Sequence, residues 1–174
     1  MLRMNSMFNR LYSLFYMGMT AVCTVAGIGA LMAYLYSLDA KVDFDVAKIG
    51  WFHPSRRGYE EAQLYFDIDA DLTPLIHVNT RLFYAYILAE WGNNTETDQH
   101  NVVLWDMLIK RENPHFDQKM VKCNYNLRQV GLSMRGKPVK LSFRIQLVPF
   151  VGFFKTKTLL TKEFVLPEKY SDSN

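Results

Sequence analysis

One uninterrupted run of uncharged residues constrains this chain more than any other feature. Residues 11–38 contain no Asp, Glu, Lys, Arg or His. As a helix rising about 1.5 Å per residue, the run would be about 40 Å long, whereas the hydrocarbon core of a bilayer is ~30 Å thick. The run therefore predicts a single transmembrane helix over residues 11–38.

The charges on either side of this run predict its orientation. Arg3 and Arg10 precede it without any acidic residue, and the residues directly after it carry a slight negative excess. Positively charged residues next to a membrane span favour the cytoplasmic side. We therefore expect a cytoplasmic tail at residues 1–10 and a domain across the membrane at residues 39–174.

A cleaved secretory signal is the alternative interpretation of the run. The apolar region of such signals is usually about 7 to 15 residues long and ends at small residues, and this run is about twice that length. Its small residues at 27–30 are followed by further apolar sequence. The sequence therefore favours an uncleaved signal-anchor, and a mature N-terminus near Ala33 would contradict it.

Composition limits what the rest of the chain can be. The 174 residues leave about 136 after the anchor, enough for one compact domain. The net charge of +3 falls to +1 without Arg3 and Arg10, so it gives no support for binding nucleic acid. Cys123 is the only cysteine in this part of the chain. We expect it to be buried, with pairing to another chain as the alternative.

Alternation of apolar and polar residues with a period of two dominates the chain beyond the anchor. It predicts strands at residues 42–46, 64–72, 82–91, 102–109, 120–127, 139–147 and 155–165. Residues 51–58 are interpreted as an irregular loop and residues 171–174 as a frayed tail. Seven or so short strands separated by turns favour an antiparallel β-sandwich. The expected fold is mainly β, with one N-terminal transmembrane helix followed by an antiparallel β-sandwich lumenal domain.

Several segments, taken in order, resemble one known family. They are the anchor, FDIDADL at 66–72, LAEW at 88–91, NVVLWD at 101–106, and the stretches 111–114 and 139–152. This ordered set resembles the signal peptidase complex subunit 3 family, the single-pass glycoprotein subunit of the endoplasmic reticulum signal peptidase. The resemblance covers nearly the whole chain.

The resemblance implies a non-catalytic accessory subunit that supports the catalytic subunit of a serine-type enzyme in signal peptide removal. The expected partners are the signal peptidase catalytic subunit, the other small membrane subunits and the lipid bilayer, with signal peptides as indirect partners and no nucleic acid. The implied location is the endoplasmic reticulum membrane, as a single-pass type II protein with a cytoplasmic N-terminus and a lumenal C-terminal domain. No cofactor is expected.

Three patterns suggest chemistry, and each has a simpler interpretation. Ser133 before Met134 is similar to the dipeptide of signal peptidase catalytic chains, but no oriented base accompanies it, so a turn serine is favoured. Asp67, Asp69 and Asp71 lack the Gly and Glu that an EF-hand calcium loop requires, which favours a solvated strand face. The four histidines lack metal-ligand spacing. We therefore expect no catalytic residue and no metal site.

Small residues share one face of the predicted transmembrane helix. Ala26, Gly29, Ala30 and Ala33 are spaced three, four and seven positions apart. Small side chains let a second helix approach closely in lipid, although alanine and glycine are also ordinary in membrane helices. The face is a candidate for packing with a partner helix.

Two further segments are candidates for contact or modification. Phe150, Phe153 and Phe154 lie in an apolar turn between two predicted strands. Such a turn either folds back over the core or contacts lipid or another subunit. Asn93 begins an N-glycosylation sequon in a polar loop, as a lumenal glycoprotein would carry.

The sequence leaves two other functions open. A membrane-tethered β-sandwich could bind a lipid or another ligand between its sheets, with the aromatic strand at 83–91 lining the pocket, although dense aromatic residues more often form a plain core. A membrane-anchored hydrolase using Ser133 is the third interpretation, and no assembled nucleophile, base and orienting group supports it.

Overall fold

The chain folds as one helix followed by a series of strands. The computed structural model describes residues 7–92, 100–130 and 134–171. Within these ranges a single α-helix, α1 (Met7–Leu35), precedes eight strands. The strands are β1 (Lys41–Pro54), β2 (Tyr59–Asp71), β3 (Thr80–Trp91), β4 (His100–Lys110), β5 (His115–Lys122), β6 (Leu127–Val130), β7 (Pro138–Pro149) and β8 (Lys155–Val165). The expectation of a mainly β chain with one N-terminal apolar helix is confirmed.

The strands form two antiparallel sheets. In the first sheet β1 pairs with one edge of β2, and β5 and β6 pair with successive parts of its other edge. The second sheet has the order β4-β3-β7-β8, so β3 is a central strand. This arrangement fits the expected β-sandwich.

The hydrophobic core lies between the inner faces of the two sheets. Because successive side chains of a strand point to opposite faces, every second residue of β3 is buried, from Phe83 to Trp91. Phe44 of the first sheet contacts Phe143 of the second, with ring centroids 6.0 Å apart. Among the described residues, large side chains from both sheets therefore pack together here, which favours a plain core over a ligand pocket.

The structure corrects two of the predicted loop and strand boundaries. Residues 51–58 are not one loop, because β1 continues to Pro54 and only residues 55–58 form the turn. Register shifts near residues 46–51 interrupt the two-residue alternation, which hid this part of the strand. The predicted strand at 120–127 is divided, because β5 ends at Lys122 and β6 begins at Leu127.

The ends of the predicted anchor and tail also differ. The helix begins four positions before residue 11 and ends at Leu35, while Leu38 is buried in the core of the sandwich. Ser171 is not frayed, because it exchanges two backbone hydrogen bonds with Phe52, at 2.7 and 2.9 Å. The rest of the predicted tail, residues 172–174, lies outside the described residues.

A buried carboxylate lies at the end of the sandwich farthest from α1. Glu60 is at the start of β2, opposite Pro54 at the end of β1, and has no exposed surface. It accepts hydrogen bonds from the Tyr170 hydroxyl at 2.8 Å and from the Met134 backbone N–H. The Arg135 guanidinium lies 3.5 Å away and supplies an opposite charge. The hydrogen bond to Glu60 also raises the pKa of Tyr170.

Candidate functional site

The structure brings together two groups of residues that were predicted separately. Gly152, in the turn between β7 and β8, lies against the small-residue face of α1. A β-carbon built on Gly152 would be 3.2 Å from the Ala30 Cα, and Gly152 has a φ of +113°. Glycine is therefore required twice over at this position, once by the backbone conformation and once by the close approach. We call residues 150–154 the tip loop.

One asparagine side chain connects the tip loop to the helix. The Asn79 Nδ2 donates to the Gly29 carbonyl at 2.9 Å and to the Val151 carbonyl at 2.7 Å. Its Oδ1 accepts from the Val151 N–H at 3.0 Å. Asn79 lies just before β3, so a single amide joins the helix to two loops of the sandwich. The sequence did not indicate this residue, because an asparagine before a strand is indistinguishable from an ordinary turn residue.

A lysine after the tip loop binds the end of α1. The Lys155 Nζ donates to the carbonyls of Tyr34, at 3.0 Å, and Tyr36, at 2.5 Å. The last carbonyls of a helix have no partner within the helix, and a cation there also interacts favourably with the helix dipole. Lys155 therefore caps α1 from the sandwich.

The segment between α1 and β1 is also packed on the sandwich. The Tyr36 ring stacks on His77 with centroids 3.7 Å apart. The Lys157 Nζ donates to Asp39, and this hydrogen bond, together with the lysine charge, lowers the pKa of Asp39. With Leu38 in the core, the connection is a fixed junction and not a free linker.

The helix residues that face the sandwich are the predicted small ones. Ala26, Gly29 and Ala30 are partly buried and Ala33 is buried, while most of α1 is exposed. These contacts are with the chain's own loops, and packing of a second helix on this face stays a prediction. Within the described residues, α1 is the one helix long and apolar enough to cross a membrane, with a mean hydropathy of 1.7.

Apolar side chains are exposed beside this junction. Phe153 is 91% exposed and Val78, next to Asn79, is 92% exposed, while Phe150 and Phe154 are exposed to a lesser extent. Val78 and Phe150 face the part of α1 between residues 21 and 29 across an apolar cleft of about 530 Å³. The tip loop and the segment before β3 therefore point these side chains away from the core.

The outer face of the second sheet forms another apolar surface. The rings of Tyr84 and Tyr86 lie 5.3 Å apart on β3, and Leu108 of β4 is opposite Tyr84 in the register and 63% exposed. The Tyr84 hydroxyl contacts the Asp106 carboxylate at 3.4 Å, and burial followed by this negative charge raises the pKa of Tyr84. The sequence of this aromatic strand did not indicate which of its faces would stay accessible.

Two of the three aspartates of β2, Asp67 and Asp71, have structural partners. The Asp67 Oδ1 accepts from the Met120 N–H at 2.7 Å and supports a β5 residue with a φ of +54°. Hydrogen bonds from Thr73 lower the pKa of Asp71, despite a smaller opposing effect of burial, and the nearby charges of His115 and Lys41 add to the lowering. Across the ranges that the structure describes, no group of three or more His, Cys, Asp or Glu residues is placed to hold a metal ion.

The remaining candidates differ in where they lie. Asn93 and Ser133 are outside the described residues, so glycosylation and the catalytic alternative stay untested. Cys123 is buried as expected, and burial raises the pKa of its thiol. Cys23 is exposed on α1.

Comparison with known proteins identifies the family. The model of a family described as "Signal peptidase subunit" matches residues 4–169, nearly all of the chain. The chain belongs to this signal peptidase subunit family. The resemblance inferred from the sequence is thereby confirmed, and membership supports a role as a subunit of the signal peptidase complex.

Relatives from distant eukaryotes agree with this family. Signal peptidase complex subunit 3 of Dictyostelium discoideum is 26% identical over 168 residues, which cover 96% of this chain and 97% of the relative. The protein of the same name from Yarrowia lipolytica is 35% identical over 100 residues, 56% of this chain and 53% of that protein. A mouse protein, "Adipocyte-related X-chromosome expressed sequence 1", is 27% identical over 163 residues, 89% of each chain.

Proposed function

We propose that this chain is a non-catalytic accessory subunit of the signal peptidase complex in the endoplasmic reticulum membrane. It supports assembly and activity of the catalytic subunit of a serine-type enzyme during signal peptide removal. The observation that carries this proposal is the family match over residues 4–169, because it includes the anchor and the sandwich together. In this proposal α1 is a type II signal-anchor, residues 1–10 are cytoplasmic, and residues 39–174 are a lumenal domain glycosylated at Asn93.

The junction geometry supports a bracing role. A subunit that holds another protein at a fixed place above the membrane must transmit the position of its anchor to its domain. Here the Asn79 amide and the Lys155 ammonium join α1 to the sandwich at two separate points. A domain held in this way keeps a constant orientation relative to the helix, whereas a domain on a free linker would not.

The outer face of the second sheet is the surface we assign to the catalytic subunit. Of the apolar surfaces that the described sandwich exposes, the tip loop lies beside the membrane helix. The face containing Tyr84, Tyr86 and Leu108 extends along the sandwich away from that loop. Aromatic residues with polar hydroxyls are enriched at the centres of protein interfaces. The other small membrane subunits are further proposed partners.

Affinity purification of the full chain from detergent-solubilised membranes tests this role. We expect the wild-type chain to recover the signal peptidase catalytic subunit and Leu108→Glu to recover at least about tenfold less, because a carboxylate would be desolvated in the interface. Val130→Glu is the matched control, since Val130 is 86% exposed at the opposite end of the sandwich. Failure of the wild-type chain to recover the catalytic subunit would overturn the subunit role. Unchanged recovery with Leu108→Glu would overturn only the docking face.

A second measurement tests the non-catalytic assignment. We expect a complex assembled with the Ser133→Ala chain to cleave a signal peptide substrate at the wild-type rate. Wild-type amounts of assembled complex are the control, measured by co-purification. Loss of cleavage in a fully assembled complex would show that this chain takes part in hydrolysis.

A further inference from the structure

The depth of the tip loop along α1 follows from helix geometry. A helix rising about 1.5 Å per residue covers about 30 Å between Arg10 and Ala30, and this equals the thickness of the hydrocarbon core of a bilayer. If Arg10 lies at one headgroup layer, Ala30 lies at the opposite boundary of the hydrocarbon. Gly152 touches Ala30, so the tip loop lies at that boundary and not above it in water.

The side chains around Gly152 extend deeper than the contact itself. Val78 and Phe150 line the cleft beside α1 residues 21–29, which lie within the span. Phe153 is almost completely exposed in the absence of a membrane. Lipid is the solvent at this depth, and exposed valine and phenylalanine side chains are stable there whereas they are unfavourable in water.

The charges flanking the tip loop match the headgroup layer. Lys155 and Lys157 directly follow it, and both bind groups at the junction, Lys155 at the end of α1 and Lys157 at Asp39. Lysines near the ends of membrane helices place their ammonium groups at the interface and their methylene stems in the apolar region. Along the chain, the apolar tip loop is followed by two lysines. Across the membrane, the hydrocarbon core is followed by the headgroup layer, so the two orders match.

From these observations we propose that Val78, Phe150, Phe153 and Phe154 form a foot that is embedded in the lipid leaflet next to the sandwich. The occupant of the cleft beside α1 is the acyl chain of a bilayer lipid. The foot and the Asn79 contacts together fix the tilt of the sandwich on the membrane. The proposal rests on the proposed function only in requiring that α1 spans the membrane, and it holds for either orientation of the helix.

Fluorescence quenching by brominated lipids tests the foot. The full chain carrying Phe153→Trp is reconstituted into phosphatidylcholine vesicles whose acyl chains carry bromine, and the signal of the three native tryptophans is subtracted using the wild-type chain. We expect the added fluorescence to fall to less than about half of its value in unbrominated vesicles. Val130→Trp, at the far end of the sandwich, is the matched control and should lose almost none.

The possible outcomes distinguish failure of the proposed foot from failure of the proposed function. Resistance of the chain to alkaline carbonate extraction establishes that α1 is integral. An extractable chain would overturn the span, and with it both the proposed function and the foot. An integral chain with unquenched Phe153→Trp would overturn the foot alone.

Photo-crosslinking in native membranes distinguishes lipid from a protein occupant. A benzophenone amino acid replaces Phe153 in one chain and Leu108 in another, and both chains are irradiated in isolated endoplasmic reticulum membranes. We expect the chain labelled at position 153 to give lipid adducts and no major protein adduct. A dominant adduct with another membrane protein at position 153 would mean that a partner helix covers the site, and the lipid foot would be wrong.

Discussion

The two ends of the sandwich use different interactions for the same purpose of closing the fold. Beside α1, exposed apolar side chains surround an asparagine and a lysine that bind backbone carbonyls of the helix. At the opposite end, the buried carboxylate of Glu60 is neutralised by Arg135 and bound by Tyr170. Closure of the end beside α1 therefore depends on the position of the helix. Closure of the opposite end depends on pairing of the buried Glu60 carboxylate with Arg135. Substitutions at the two ends should affect different measured properties.

The largest effect is expected at the far end. Replacing Glu60 with alanine leaves Arg135, the Tyr170 hydroxyl and the Met134 N–H without their shared partner. Arg135 is half exposed and can turn to solvent, but each buried donor left without an acceptor costs about 1–3 kcal/mol, so we expect the free energy of unfolding of the detergent-solubilised chain to fall by about 2–5 kcal/mol. Denaturant unfolding followed by circular dichroism measures it. Glu112→Ala, in an exposed turn, is the control and should stay within about 0.5 kcal/mol of the wild type.

A smaller loss of stability and a larger change in geometry are expected at the junction. Asn79→Ala removes the hydrogen bonds to Gly29 and Val151, and this should lower the free energy of unfolding by about 1–3 kcal/mol. The more specific readout is the distribution of distances between spin labels on α1 and on β8, which should broaden. Asn113→Ala serves as the control in an exposed turn. A narrow, unchanged distance distribution would show that Asn79 does not hold the junction.

Two glycines with positive φ compare the ends directly. Gly58, in the far turn, has a φ of +80° and open space around its Cα, whereas Gly152 has both a positive φ and Ala30 close by. Gly58→Ala should therefore lower the free energy of unfolding by about 1 kcal/mol through backbone strain alone. Gly152→Ala should lower it by about 1 kcal/mol more, because Ala30 must also move. Equal effects on the thermal unfolding midpoint would contradict the helix contact.

The smallest expected effect is on the pH dependence of the stability that the junction contributes. The pKa of Asp39 is lower in the folded protein because Lys157 donates a hydrogen bond to its carboxylate and adds a positive charge. A lowered pKa stabilises the fold above the unfolded value of about 3.9, and this stabilisation is lost as the pH falls through the folded value. Asp39→Asn should therefore lower the unfolding midpoint slightly at pH 7 and not at pH 2. In a Lys157→Ala background the same substitution should have a smaller effect at pH 7, because only the hydrogen bond from Ser37 then lowers the pKa of Asp39, and no effect at pH 2.

Much of the fold could be predicted because it follows from the local alternation of apolar and polar residues. Residues 139–147 alternate cleanly and lie within β7, and residues 155–165 coincide with β8. The extension of β1 to Pro54 could not be predicted, because register shifts break the period of two that the prediction depends on. Strand alternation is a local property, but the position of a bulge depends on the neighbouring strand.

The candidate site was predictable in its parts and not in its assembly. The small-residue face around Ala30 and the apolar turn around Phe153 were each visible in the sequence. Their contact joins residues about 120 positions apart, and no periodicity encodes such a pairing. Asn79 was missed for the same reason, since its side chain acquires a role only when Gly29 and Val151 are brought to it.

The hydrogen bond between Tyr170 and Glu60 also has a consequence for biosynthesis. It joins residues 110 positions apart. At a synthesis rate of about 5–20 residues per second, the Glu60 carboxylate emerges roughly 5–20 s before the hydroxyl that binds it. During this interval the start of β2 cannot be buried with the full set of hydrogen bonds to the Glu60 carboxylate, and a buried charge that lacks a donor is costly. The first sheet therefore acquires its last hydrogen bond to Glu60 only when synthesis of the chain is nearly complete.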